Sequence, residues 1–182
     1  MTGCAYKEQT MEHIVILGLG NILYGDEGFG VRAAERLYAD WEFPDHVEVV
    51  DGGTQGHTLL TFVEEADRLL ILDAVDFGQA PGTLTQREDE DIPAWLCGRK
   101  ISPHQNSFSE VLALAQLRGR LPAHMVLIGV HPAAMELGGA LSPLADGQVN
   151  AAVELTLRQL RLWGVDAQPA AVPRRLHHSS LD

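Results

Sequence analysis

His13-Ile14-Val15-Ile16-Leu17-Gly18-Leu19-Gly20-Asn21-Ile22-Leu23-Tyr24-Gly25-Asp26-Glu27-Gly28-Phe29-Gly30 is the stretch on which the reading of the fold turns. Residues 13–17 are apolar without alternation, the pattern of a strand buried on both faces. Residues 31–38 continue with helical spacing, and Phe29, Ala33 and Leu37 fall on one stripe. A strand therefore feeds a glycine-rich loop, and the loop feeds a helix. The dinucleotide fingerprint G-x-G-x-x-G would need glycine at position 23, where this chain has Leu23. Asp26 and Glu27 also stand where a pyrophosphate would meet the helix N-terminus. Carboxylates repel phosphate, so the loop reads as a device for presenting carboxylates, and a nucleotide-binding oxidoreductase is disfavoured. A plainer reading makes Asp26 an N-cap and Glu27 a first-turn partner of the helix dipole. The stretch alone does not separate the two.

Working outward, the same strand signature recurs. Residues 46–51 read as a second strand, ending in the glycine-dense turn Asp51-Gly52-Gly53-Thr54-Gln55-Gly56. Residues 57–65 are a short helix candidate. Residues 68–76 are a third strand, continuously apolar until it meets Asp73 and Asp76. Residues 82–86 alternate as a short edge strand would. Ser107 and Glu110 fit a capping box for a helix burying Phe108, Val111, Leu112 and Ala115. Residues 125–130 form the last buried strand. Ser142 caps a long helix with Pro143 at its first position, Val149, Val153, Leu157 and Leu160 as its buried stripe, and Gly164 at its end. Strands apolar on both faces and alternating with helices predict a three-layer α/β/α sandwich with a mostly parallel central sheet. Residues 11–166 form the single domain. Residues 1–10 are expected to be a disordered extension and residues 167–182 a mobile tail, since neither has apolar periodicity.

The 182 residues, 46% hydrophobic, suffice for one full core. A formal charge of −12 disfavours nucleic acid and anionic membrane surfaces as partners. Cys4 and Cys97, the two cysteines, form no C-x-x-C, so neither a disulfide scaffold nor a thiolate zinc site is implied. No apolar run approaches the roughly 20 residues needed to span a bilayer, and the N-terminus lacks an apolar signal core, so the chain reads as cytoplasmic.

Parallel sheets carry their sites beyond the carboxyl ends of the strands. Three segments should meet there: Glu27 after the first strand, Asp73 at the end of the third, and His104 just ahead of a capped helix. Two carboxylates and an imidazole make a three-ligand set for a divalent ion such as zinc or nickel, with open positions left over. Asp76 and Asp51 rival Asp73, and His57, His46, His124 and His131 rival His104, with His57 the nearest competitor. There is no G-x-S-x-G elbow and no H-E-x-x-H pair.

The motifs taken together carry a resemblance. The loop from Gly18 to Arg32 resembles the opening motif of the nickel–iron hydrogenase maturation endopeptidases. Asp51-Gly52-Gly53-Thr54-Gln55-Gly56 is similar to that family's second motif. Leu72-Asp73-Ala74-Val75-Asp76 and Ser102-Pro103-His104-Gln105-Asn106-Ser107-Phe108-Ser109-Glu110 look like the third and fourth. The match runs in order from about residue 13 to 163 and looks closest to members serving membrane-bound uptake hydrogenases. Val130-His131-Pro132 departs from it, with histidine where glutamine is expected.

The resemblance implies an endopeptidase that removes the C-terminal peptide of the hydrogenase large-subunit precursor once nickel has been inserted there. It assigns Glu27, Asp73 and His104 to a divalent metal, most simply nickel borne by the substrate, with zinc or cadmium as surrogates. The second-motif loop, with Asp51, Gly52, Gly53 and Thr54, becomes the substrate contact. The residues themselves permit two schemes, a metal that activates water as a Lewis acid, or a grip on the precursor's nickel with Asp51 or Asp76 as base, and the open O,O,N set favours the second. A metallochaperone or nickel sensor on the same scaffold would need the same ligands but would cut nothing.

Overall fold

The computed structural model describes residues 11–89, 92 and 103–176, with backbone alone for 103–107. The expected extension at 1–10, the region of Cys97, the Ser107 side chain and residues 177–182 lie outside the described residues. A five-stranded sheet runs in the order β3 (Val47–Gly53), β1 (Ile14–Leu19), β4 (Arg68–Ala74), β6 (His124–Val130), β5 (Leu84–Glu88). The first four are parallel, and β5 closes one edge antiparallel to β6. α1 (Phe29–Asp40) follows β1, and α2 (Leu60–Glu65) follows β3 after a 3-10 turn at Gly56–Leu59. α3 (Pro103–Leu117) precedes β6, and α4 (Pro143–Asp146) and α5 (Val149–Leu162) come after it.

Side-chain alternation explains why these strands carry no polar face. Ile14 and Ile16, Leu70 and Leu72, and Val126 and Ile128 point into one core with Phe29, Ala33, Leu37, Val149, Val153, Leu157 and Leu160 of α1 and α5. Val15 and Leu17, Leu69 and Ile71, and Met125 and Leu127 point the other way, onto Leu59, Val63, Phe108, Val111, Leu112 and Ala115. Both faces are covered, which is the expected α/β/α sandwich. Among the described residues no helix is long and apolar enough to cross a membrane.

Connections leave β1 and β4 toward opposite edges of the sheet, so the chain changes winding direction between these two neighbours. Their carboxyl ends open onto a crevice, the place where doubly wound sheets hold ligands.

Three expectations are corrected. α3 begins at Pro103, not after Ser107, because proline suits the first turn of a helix, where no partner for its missing N–H is needed. The helix expected from Ser142 is two helices: Ser142 does cap α4, its Oγ accepting from the Ala145 N–H at 3.3 Å, but the helix breaks at Gly147-Gln148. The segment from 167 to 176 is not a loose tail. Its strand β7 (Gln168–Pro169) pairs antiparallel with β2 (Trp41–Glu42), directly after α1. The N–H groups of Ala170 and Arg174 donate to the Asp40 and Ala39 carbonyls, two of the acceptors a helix leaves unpaired at its C-terminus. The Arg174 guanidinium stacks 4.2 Å from the Tyr38 ring and donates to the Trp41 carbonyl.

Candidate active site

The loop between β1 and α1 is folded by close backbone approach. Gly20 has φ of 120°, and a Cβ there would lie 1.7 Å from the Glu27 carbonyl oxygen. A Cβ on Gly30 would lie 2.0 Å from the Leu72 carbonyl oxygen and 2.5 Å from that of Leu19. The absence of side chains lets the start of α1 settle onto β1 and β4, one residue short of Asp73. The intervening 3-10 turn, Gly25–Gly28, packs against β4. Glu27 and Asp73 are thereby buried at the carboxyl ends of neighbouring strands, 6% and 0% exposed. Asp73 Oδ1 accepts from the Ala74 N–H at 2.7 Å. By strand alternation Asp73 shares the face of Leu69 and Ile71, the face covered by α3.

α3 runs antiparallel to β6, so its first turn, which contains His104, stands at the same carboxyl edge, and the helix packs against the Gly56–Leu59 turn. The His104 side chain lies outside the described residues. Among the described residues no group of three His, Cys, Asp or Glu side chains forms a metal site. The chemistry of the expected donor set, two buried carboxylates and the imidazole of an adjoining helix turn, nevertheless fits a divalent ion.

Asp26 and Glu27, adjacent in the chain, have separate jobs. Asp26 is fully buried and does not cap α1. Its carboxylate accepts from the N–H groups of Ala133 (2.7 Å), Ala134 (3.0 Å) and Ser142 (2.6 Å) and from the Ser142 hydroxyl (2.8 Å). Its own N–H donates to the Ala134 carbonyl, and Gly138 donates to Leu23. Charge-assisted bonds of this kind are the strong ones. Sequence reasoning could not find this clasp, because its partners are more than 100 residues away. Ser142 was visible only as a cap, and it is both.

Asp51 is 2% exposed at the end of β3, and its Oδ1 accepts from the Gly53 N–H at 3.1 Å. The Gly20 N–H donates to the Gly53 carbonyl, tying this turn to the first loop. Between the two runs a groove of about 420 Å³ lined by Ile22, Leu23, Val31, Asp51, Thr54 and Gln55, with Gly20 and Gly53 on its walls. Of the expected substrate contacts, Asp51, Gly53 and Thr54 line it, whereas Gly52 does not and a Cβ there would lie 2.9 Å from Leu19 Cδ2. A wider cleft of about 520 Å³ follows the exposed side of α1 past Arg32 and Arg36, but no expected site residue lines it.

Asp76 lies past the end of β4. Its Oδ1 accepts from the Gly78 N–H at 2.7 Å and stands 3.4 Å from His131 Nδ1. The sheet edge therefore gathers Glu27, Asp73, Asp76 and His131 from three strand ends. His46, whose carbonyl accepts from the Ile14 N–H, and His124, which opens β6, sit at the amino edge and drop out as rivals.

Residues 31–159 match the family model described as hydrogenase maturation protease. The chain is 47% identical over 161 residues to the hydrogenase expression/formation protein HupD of Rhodobacter capsulatus, covering 88% of this chain and 77% of that one. It is 42% identical over 157 residues to the hydrogenase 2 maturation protease of Escherichia coli, covering 86% and 95%. The solved structure of the hydrogenase maturating endopeptidase HybD from E. coli superposes with a TM-score of 0.83 at 41% identity, covering 87% of this chain and 98% of that one. Sheet, crevice and matched sequence lead to one conclusion: this chain belongs to the hydrogenase maturation proteases and is a peptide hydrolase.

Proposed function

We propose that the chain cuts the C-terminal peptide from the precursor of a nickel–iron hydrogenase large subunit, and that nickel already carried by the precursor is the signal for cutting. The observation that carries this reading is the burial of Glu27 and Asp73 at the carboxyl ends of neighbouring strands, next to a groove of about 420 Å³ between the two glycine-rich turns. Two carboxylates and one imidazole from His104 suit transient capture of a substrate-borne ion better than permanent storage, for which imidazole or thiolate sets are usual. Zinc or cadmium would occupy the same donors as surrogates.

In this reading the peptide lies along the groove, with Asp51 and the Gly53–Thr54 backbone beside it. Of the two candidate bases Asp76 is the better placed for proton transfer, since its side chain is 34% exposed whereas Asp51 is 2% exposed. Asp76 takes a proton from the attacking water, the water oxygen bonds to the scissile carbonyl carbon, and the C–N bond breaks as the leaving nitrogen is protonated.

The test is incubation of the purified protein with precursor loaded with nickel and with nickel-free precursor, followed by mass spectrometry. Loss of the C-terminal peptide from the loaded form alone is expected. Stoichiometric, tightly held zinc in the purified protein together with cleavage of the nickel-free form would overturn the nickel signal. Nickel-dependent binding with no mass loss from either form would favour a metallochaperone.

A further inference from the structure

The clasp at Asp26 does more than hold a loop shut. Four residues, His131-Pro132-Ala133-Ala134, run directly from the Asp76 turn to the Glu27 turn. One end is fixed by backbone bonds, from the His131 N–H to the Thr83 carbonyl and from the Gly82 N–H to the His131 carbonyl, and lies beside Asp76, whose Oδ1 is 3.4 Å from His131 Nδ1 with no hydrogen bond between them. The other end is fixed by Asp26, through the Ala133 and Ala134 N–H groups and the return bond from its own N–H to the Ala134 carbonyl. Ser142, where the loop comes back, is held by the same carboxylate. The segment is thus a strut between the two turns that carry the carboxylates of the site.

We infer that Asp26 is a positioning residue: through this strut it sets the placement of Glu27 relative to the end of β4. The inference rests on the reaction proposed above. All four groups that reach the Asp26 carboxylate are donors. A carboxylate satisfies them all, whereas an amide of the same shape must turn its own NH₂ toward at least one of them. Asp26→Asn therefore releases the strut with little change in volume. The peptide groove is built from the other side of the first loop and from β3, and Asp26 does not line it. Releasing the strut should then impair the chemical step and spare peptide binding.

The experiment compares wild type, Asp26→Asn and Ser142→Ala. Steady-state cleavage of the nickel-loaded precursor is measured beside hydrogen exchange of the amides. In Asp26→Asn, kcat should fall by about 10–100-fold, the range typical of losing a partner one step removed from a functional group. KM should stay within about twofold, because an interaction absent from ground-state binding moves kcat alone. The Ala133, Ala134 and Ser142 amides should exchange faster while those of β1 and β4 keep their protection. Ser142→Ala removes one of the donors and should give a smaller change of the same kind, which keeps the test open if Asp26→Asn does not fold. Faster exchange of these amides with kcat unchanged would overturn the inference, and so would a rise in KM at constant kcat. A wild-type protein that leaves the loaded precursor intact would instead refute the proposed reaction.

Discussion

Two glycine-rich turns flank the same groove and are built on opposite plans. In the turn after β1, backbone packs on backbone, with Gly20 under the Glu27 carbonyl and Gly30 against Leu72 and Leu19. A buried carboxylate then bolts that turn to a loop from the far end of the chain. The turn after β3 is packed closely at Gly52, against Leu19 and Leu59, and held by the Gly20 N–H at the Gly53 carbonyl, but its tip is open. Asp51 bonds to Gly53, two residues on, and a Cβ on Gly53 would find only the Asp51 carboxylate oxygen, at 3.7 Å. Close packing tolerates little displacement, so the first turn suits groups that must keep a fixed geometry. The tip of the second has room to adjust, which suits the peptide contact proposed for it.

The contrast is most directly broken by adding a methyl group to each turn. Gly20→Ala would place a methyl 1.7 Å from a backbone oxygen at a φ of 120°. It should cost more than about 3 kcal/mol, the upper end for overpacking, and it should prevent folding or lower the denaturant midpoint severely. A midpoint close to wild type would mean that the first turn is looser than its geometry implies. Next in size, Glu27→Gln should keep the unfolding midpoint within the range of ordinary polar changes yet lower kcat by at least about 100-fold, as loss of one preorganised charged or polar group does elsewhere. Cleavage at the wild-type rate would remove Glu27 from the reaction.

Asp51→Asn sharpens the contrast from the other side. It should raise KM by about 10-fold and leave kcat nearly unchanged, the signature of lost uniform binding. A fall in kcat at constant KM would place Asp51 with the chemistry instead. Smallest is Gly53→Ala, where φ is 46° and the space is open. Only the left-handed backbone penalty of about 1–2 kcal/mol applies, measurable as a modest shift in the unfolding midpoint. A loss as large as that of Gly20→Ala would erase the distinction between the turns.

The sheet was legible because its strands are buried on both faces, so residues 14–17, 69–72 and 125–130 read as uninterrupted apolar runs. That same pattern located the carboxyl edge and hence Glu27, Asp73 and Asp76. Features made by pairing distant residues were not legible. The bond from Ser142 to Asp26 spans 116 positions and leaves no local trace. The β2–β7 ribbon has two residues per strand, too few for any periodicity. The start of α3 was misplaced for a local reason, since Pro103 signals either a break or a first turn, and Ser107 offered a competing cap.

The strap formed by residues 168–176 has a practical consequence for handling the molecule. It folds back along the last turn of α1, at the sheet edge where Ile14 begins β1. Both ends of the described chain therefore depart on the side facing away from the crevice. A fluorescent reporter or a bead linkage attached within the strap, for example at the exposed position of Val172, would sit opposite the crevice and leave it unobstructed. A protein immobilised in this way would present the crevice outward to the precursor proposed as its substrate.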